Sequence, residues 1–210
     1  MKEIIKNNKV TIMGEIIRNF AFSHEIFGEH FYMMDVRCPR LSENFDTIPV
    51  MVSERLMDVT ADFSGKLVYV SGQFRSYNRH EERKNRLILS VFSREIEFLE
   101  EVPDGSESNQ IFLDGYICKE PVYRKTPLGR EIADVLLAVN RPYGKSDYVP
   151  VILWGRNARY ASGFRVGERC AVLGRIQSRK YLKKFEDGTF ETRTAYEVSV
   201  SRLEDTNEQE

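Results

Sequence analysis

Apolar residues in this chain recur mostly at every second position, the period of a half-buried strand, and seldom at helical spacing. In YVPVILW, residues 148–154, Val149, Val151 and Leu153 fall on one side of an extended chain, and Tyr148, Pro150, Ile152 and Trp154 on the other. The same alternation predicts strands at 132–139, 149–154, 170–181 and 190–203, with Asp187 and Gly188 as a hairpin turn. IFLDGYICKE, residues 111–120, reads as a strand whose Gly115 marks a bulge or bend. Turn-rich loops are expected at PVYRKTPLG and NRPYGKSDY, and a short helix at 157–161.

The pattern occurs twice. VTIMGEII, residues 10–17, resembles IFLDGYIC, residues 111–118. Gly14 and Gly115 are 101 positions apart, as are Gly28 and Gly129, and Pro49 and Pro150. VSGQFRSY and VLGRIQSR then match with Gly72 and Gly174 at a spacing of 102, so one residue has been inserted. EEVPDGSESN, rich in Pro, Gly, Ser and acids, reads as a linker. The expected division is 1–100, a linker at 101–108, 109–204, and an acidic tail at 205–210. In the first copy SERLMDVTADF, residues 53–63, suggests a short helix with Ser53 as N-cap. Five strands with one helix between the third and fourth is the order of an OB-fold. The expected class is therefore all-β, with two tandem OB-fold five-stranded Greek-key barrels, each carrying that short helix; a β-sandwich fits the interposed helix less well.

Composition narrows the function. Net charge is −1, but residues 109–203 hold 17 Lys and Arg against 10 Asp and Glu, while residues 1–100 hold 14 against 15. The second copy is a basic body with acidic flanks. Cys38, Cys118 and Cys170 show no metal-ligand spacing and read as buried thiols; His24, His30 and His80 read as surface or loop residues. No metal, organic cofactor or catalytic residue is implied: acid pairs such as Glu81 with Glu82 and Glu186 with Asp187 sit in expected turns, and no phosphate-binding glycine loop is present. No apolar run reaches the length of a membrane span, and the opening MKEIIKNNKVTIMGE lacks a signal peptide's apolar core, so a cytoplasmic, nucleoid-associated protein is expected.

The chemistry concentrates around the only tryptophan. Tyr143, Tyr148, Trp154 and Tyr181 fall on loops or on strand sides opposite the aliphatic core, interleaved with Arg141, Lys145, Arg156, Arg175 and Arg179. An aromatic stripe in a β protein is more often core or subunit contact. Four aromatics among cations on the outward parity suit single-stranded nucleic acid, whose bases expose faces for stacking while phosphates take the cations. Duplex DNA hides those faces.

LAVNRPYGKSDYVPVILWGRNA and VGERCAVLGRIQSRKY closely resemble the most recognisable segments of the bacterial single-stranded DNA-binding proteins of replication, recombination and repair. The resemblance spans about 95 residues. It implies non-sequence-specific coating of single strands, with base stacking on Tyr143, Tyr148, Trp154 and Tyr181. Phosphate contacts are expected from Arg124, Lys125, Arg141, Lys145, Arg156, Arg175 and Arg179, joined in the first copy by Arg75 and Arg79. That copy departs from the pattern: Ser42, Thr47, Ser53 and Arg79 stand at its stacking positions, with Phe45 and Tyr77 as partial substitutes. It is expected to serve assembly and to track phosphates. The tandem form implies a homodimer with four barrels. The tail, EDTNEQE, lacks the Pro-Phe tip through which family members recruit replication and repair proteins. Rival readings are a primosome or recombination accessory acting through protein contacts, an RNA binder, and an enzyme.

Overall fold

In a computed structural model, residues 7–40, 42, 44–81, 84–103, 107–185 and 188–204 are described, with backbone alone for 78–81 and 84–86. The acidic tail, most of the acid pairs and Asp187 lie outside the described residues. The first half is built of β1 (Asn8–Ile26), β2 (Glu29–Pro39), β3 (Phe45–Ser53), β4 (Leu67–Glu81) and β5 (Lys84–Leu99). β1 pairs antiparallel with β2 and β4, β2 with β3, β4 with β5, and β3 runs parallel to β5, so the five strands close a barrel. Alternating Val10 and Ile12, Ile48, Val50 and Val52, and Val68 and Val70 fill it.

The second half contains β6 (Asn109–Ile117), β7 (Val122–Lys125), β8 (Glu131–Asn140), β9 (Ser146–Trp154), the helix α1 (Arg156–Ala161), β10 (Arg169–Lys184) and β11 (Phe190–Glu204). Its pairings repeat those of the first half: β6 with β8 and β10, β8 with β9, β10 with β11, and β9 parallel to β11. The repeated glycines have a common cause. A Cβ on Gly14 would lie 2.2 Å from the Arg37 carbonyl oxygen, and one on Gly115 2.6 Å from that of Ala138, where the first strand of each half crosses its neighbour. At Gly72 and Gly174 the register with β5 and β11 slips, and a Cβ would lie 2.2 Å from Phe92 O and 2.3 Å from Ser199 O.

Three expectations need correction. PVYRKTPLG is not all loop: its residues Val122–Lys125 form β7, a hairpin with β8. Ser53 ends β3, and residues 54–63 form turns and bends, not a helix. The Asp58 carboxylate accepts the Thr60 amide at 3.0 Å and Asp62 accepts that of Ser64 at 2.9 Å, so side chains take donors a helix would need. The short helix is thus observed in the second half and not in the first. Finally, Cys118 is only half-buried. Cys38 and Cys170 are buried, and desolvation pushes both thiols up, Cys170 to about 11.

The two halves share one sheet. β1 pairs antiparallel with β6, and Val10 faces Ile111, its own counterpart in the repeat. Such self-pairing is what a local two-fold relation produces. The stretch read as a linker ends in a buried Ser108, whose carbonyl accepts the Met13 amide at 2.7 Å and whose hydroxyl donates to Pro39 O at 2.5 Å.

Two buried carboxylates carry the relation further. Asp46 accepts the Ser178 amide at 2.8 Å, Arg175 Nη1 at 2.7 Å and Arg40 Nε at 2.7 Å. Asp147, its repeat counterpart, accepts the Ser76 amide at 2.6 Å and Arg141 Nε at 2.6 Å. Arg141 also donates to Ser76 O at 2.9 Å. Each half therefore extends one aspartate to the other half, Asp46 to β10 and Asp147 to β4. Both aspartates are 1% exposed.

Candidate nucleic-acid interface

β9 rises from a tight turn at Pro142–Gly144, in which Tyr143 adopts φ 65° and projects into solvent. Arg141 donates its amide to Lys145 O at 2.7 Å and closes the loop. Along β9, Asp147, Val149, Val151 and Leu153 point inward and are buried. Tyr148 and Trp154 point outward and are exposed, with Pro150 and Ile152 between them. The six-residue separation makes this track roughly 20 Å long.

Neighbouring strands widen it. Parallel pairing sets Ser199 beside Ile152, and the Trp154 indole N–H donates to Ser199 Oγ at 3.0 Å. Ser199 in turn faces Arg175, Glu197 faces Gln177, Ala195 faces Arg179, and Arg193 faces Tyr181. The outward sides of β9, β11 and β10 are therefore one surface, with Trp154 near its middle and Tyr181 toward the far end of the β10–β11 hairpin. The aromatics are spread along this surface and not gathered into a pocket.

The cations divide into two groups. Lys125, Lys145, Arg156 and Arg179 are exposed, and Arg124 is exposed but bonded to Asp134 at 2.9 Å. Arg141 and Arg175 bond the buried aspartates between the halves. Burial and nearby Arg40 push Arg175 below the ordinary guanidinium value, with Asp46 acting against them. Arg75 is half-buried, its guanidinium over the Phe92 ring at 4.6 Å. The Arg79 side chain lies outside the described residues.

Some groups on this surface went unnoticed in the sequence. At the end of the β10–β11 hairpin, Lys183 lies over Phe185 at 5.2 Å, and Lys184 over Phe190 at 5.8 Å. The alternating cations and phenylalanines of KKF and TF, residues 183–185 and 189–190, are the signal that could have found them. In the first half, Ser53 is buried and its hydroxyl donates to Glu29, while Thr47 donates its amide to Ser178 Oγ at 3.2 Å. Phe45 is exposed and carries Arg37 over its ring at 5.4 Å. Among the described residues, no group of three or more His, Cys, Asp or Glu could hold a metal ion, and no helix is long and apolar enough to cross a membrane.

The model of the Single-strand binding protein family matches residues 108–205. Single-stranded DNA-binding protein B of Bacillus subtilis is 38% identical over 80 residues, covering 35% of this chain and 71% of that protein. The chain belongs to the single-strand binding protein family. Within the family, the single-stranded DNA-binding protein of Thermus thermophilus is 30% identical over 161 residues, covering 67% of this chain. This family member spans 58% of that relative's length. The crystal structure of the wild-type single-stranded DNA binding protein from Thermus aquaticus superimposes with a TM-score of 0.73 at 21% identity, covering 97% of this chain and 94% of that one. At that identity the likeness speaks for the fold, and it extends over both halves.

Proposed function

We propose that this family member binds and protects single-stranded DNA without sequence specificity, in replication, recombination or repair, and that it is not an enzyme. The reading takes its two halves as tandem OB-folds, residues 1–100 and 109–204 joined by 101–108. One observation carries it: Trp154 stands exposed on the outward side of β9, its indole edge bonded to Ser199, in line with Tyr148. A ring held by its edge leaves a face for a base, at no further ordering cost. Tyr143 and Tyr181 extend the stacking surface at either end. Lys125, Lys145, Arg156 and Arg179 take phosphates, and Arg124 joins them by leaving Asp134. Arg79 is kept as a phosphate contact of the first half. Arg141, Arg175 and Arg75 are reassigned, because their guanidiniums are engaged between the halves or within the first.

Titration with poly-dT should quench Trp154 emission, and quenching should weaken with salt as counterion release predicts. Duplex DNA should leave the emission unchanged. Binding by gel shift without quenching would remove Trp154 from the site.

The homodimer implied by the tandem form is part of the proposal. Light scattering at micromolar concentration should return twice the chain mass, and a monomer mass would remove it.

A further inference from the structure

The loop between β8 and β9, residues 141–145, carries Tyr143 and Lys145, and the first half grips it at both ends. At its entrance, Asn7 donates through Nδ2 to Asn140 O at 2.8 Å. At its exit stands Ser76 of β4, and each polar group of this one residue is spent there. Its amide donates to Asp147 at 2.6 Å, its carbonyl accepts Arg141 Nη2 at 2.9 Å, and its hydroxyl oxygen accepts the Tyr148 amide at 2.7 Å. Ser76 is buried, and it lies 72 positions from the tyrosine it holds.

Three observations tie this grip to the rings. Tyr143 stands at φ 65°, a conformation strained for an L side chain, which persists where the surroundings over-determine the backbone. The Asn7 and Ser76 contacts on either side of the loop do so. β11 pairs with β9 at Val151 and Ile152, beyond Tyr148; at Tyr148 itself the Ser76 hydroxyl stands in for a strand partner. The grip is also built twice. Ser178, the repeat counterpart of Ser76, donates its amide to Asp46 at 2.8 Å and accepts the Thr47 amide through Oγ at 3.2 Å. Thr47 is the counterpart of Tyr148, so the same latch holds a threonine in the first half and a ring in the second.

We propose that Ser76 is a positioning residue for the stacking surface of the other half, fixing Tyr148 for a base before any strand arrives. The inference rests on reading the Trp154 surface as a single-strand surface. A base that stacks on Tyr148 meets a ring whose backbone is already ordered, so less freedom is lost on binding. The affinity of the second half then depends on a side chain of the first, even for a strand too short to reach both.

The test uses the full chain with Ser76→Ala, which removes the hydroxyl and keeps the backbone bonds to Asp147 and Arg141. Affinity for a fluorescein-labelled dT oligomer of about 8 nucleotides, within the site size of one barrel, should fall about tenfold, the effect of ordering one or two more side chains on binding. Ser76→Thr keeps the hydroxyl and should bind like wild type. The loss should vanish in a Tyr148→Ala background and persist in full in a Tyr181→Ala background, because positioning acts only through the ring it positions. In the free wild-type chain, the Tyr148 amide should be protected from hydrogen exchange before any DNA is added.

Wild-type affinity in Ser76→Ala, equal losses in the two backgrounds, or a Tyr148 amide that gains protection only when dT binds would each overturn the positioning role. The last of these is read on the wild-type chain and needs no variant to fold. In all three cases the surface stands as long as Tyr148→Ala weakens binding. Wild-type affinity in Tyr148→Ala, with no quenching of Trp154, would overturn the single-strand surface, and the role of Ser76 with it.

Discussion

Asp147→Ala should destabilise the folded chain by about 3–5 kcal/mol, the range for removing one partner of a buried ion pair. The carboxylate is almost completely buried and accepts three hydrogen bonds, two from Arg141 and one from the Ser76 amide. Truncation leaves a guanidinium without its counterion and an amide of β4 without its acceptor. Neither regains water cheaply, because Arg141 is itself tied to the Ser76 carbonyl. Asp147→Asn keeps an acceptor for Ser76 and should cost less. Asp46→Ala tests the reciprocal site, where one carboxylate holds Arg40, Arg175 and the Ser178 amide. Guanidinium chloride unfolding, followed by Trp154 emission and far-UV circular dichroism, measures these losses. A loss below about 1 kcal/mol would be that of a surface pair, and would mean that the halves are held by the β1–β6 pairing and their cores instead.

Removing both ring platforms of β9, with Tyr148→Ala and Trp154→Ala together, should weaken binding of a fluorescein-labelled dT oligomer by about 30-fold to 10⁴-fold. Stacking contributes about 1–3 kcal/mol per base, and the two rings are far enough apart to serve different bases. Trp154→Phe should restore most of the loss at that position, since a phenyl ring still stacks, though without the bond to Ser199. Phosphate contacts behave differently. Arg156→Ala should lower the slope of log affinity against log salt by about 0.7, the value for one contact to a single strand. Arg141→Ala should leave that slope alone and lower stability instead. Fluorescence anisotropy across a salt series separates the two. A loss below threefold in the double variant would mean that bases do not stack on this face.

Much of the second half is readable from period-two alternation. The strand expected at 149–154 is the C-terminal part of β9, and those at 170–181 and 190–203 fall within β10 and β11. Alternation also separates buried Val149, Val151 and Leu153 from exposed Tyr148 and Trp154. The repeat is readable because its glycines answer to backbone contacts in which no side chain fits. Residues 53–63 were misread because Asp58 and Asp62 bond amides two residues on, a competition that helical propensity does not reveal. β7 was missed because a short exposed strand carries no alternation.

The cations show the division most clearly. In the sequence, Arg141, Arg175 and Arg156 are alike: arginines among aromatics in a basic half. Arg156 does remain at the surface. Arg141 and Arg175 are drawn onto aspartates that close the contact between the halves, with Ser76 and Ser178 lying 71 and 132 positions from the carboxylates they meet. The sequence by itself determined the all-β class, the repeat, and which side of each strand is apolar, because these follow from local periodicity and from glycine's missing Cβ. Only the tertiary structure decided which charges are structural and which face solvent, because a charge's burial and partner depend on strands brought together from distant parts of the chain.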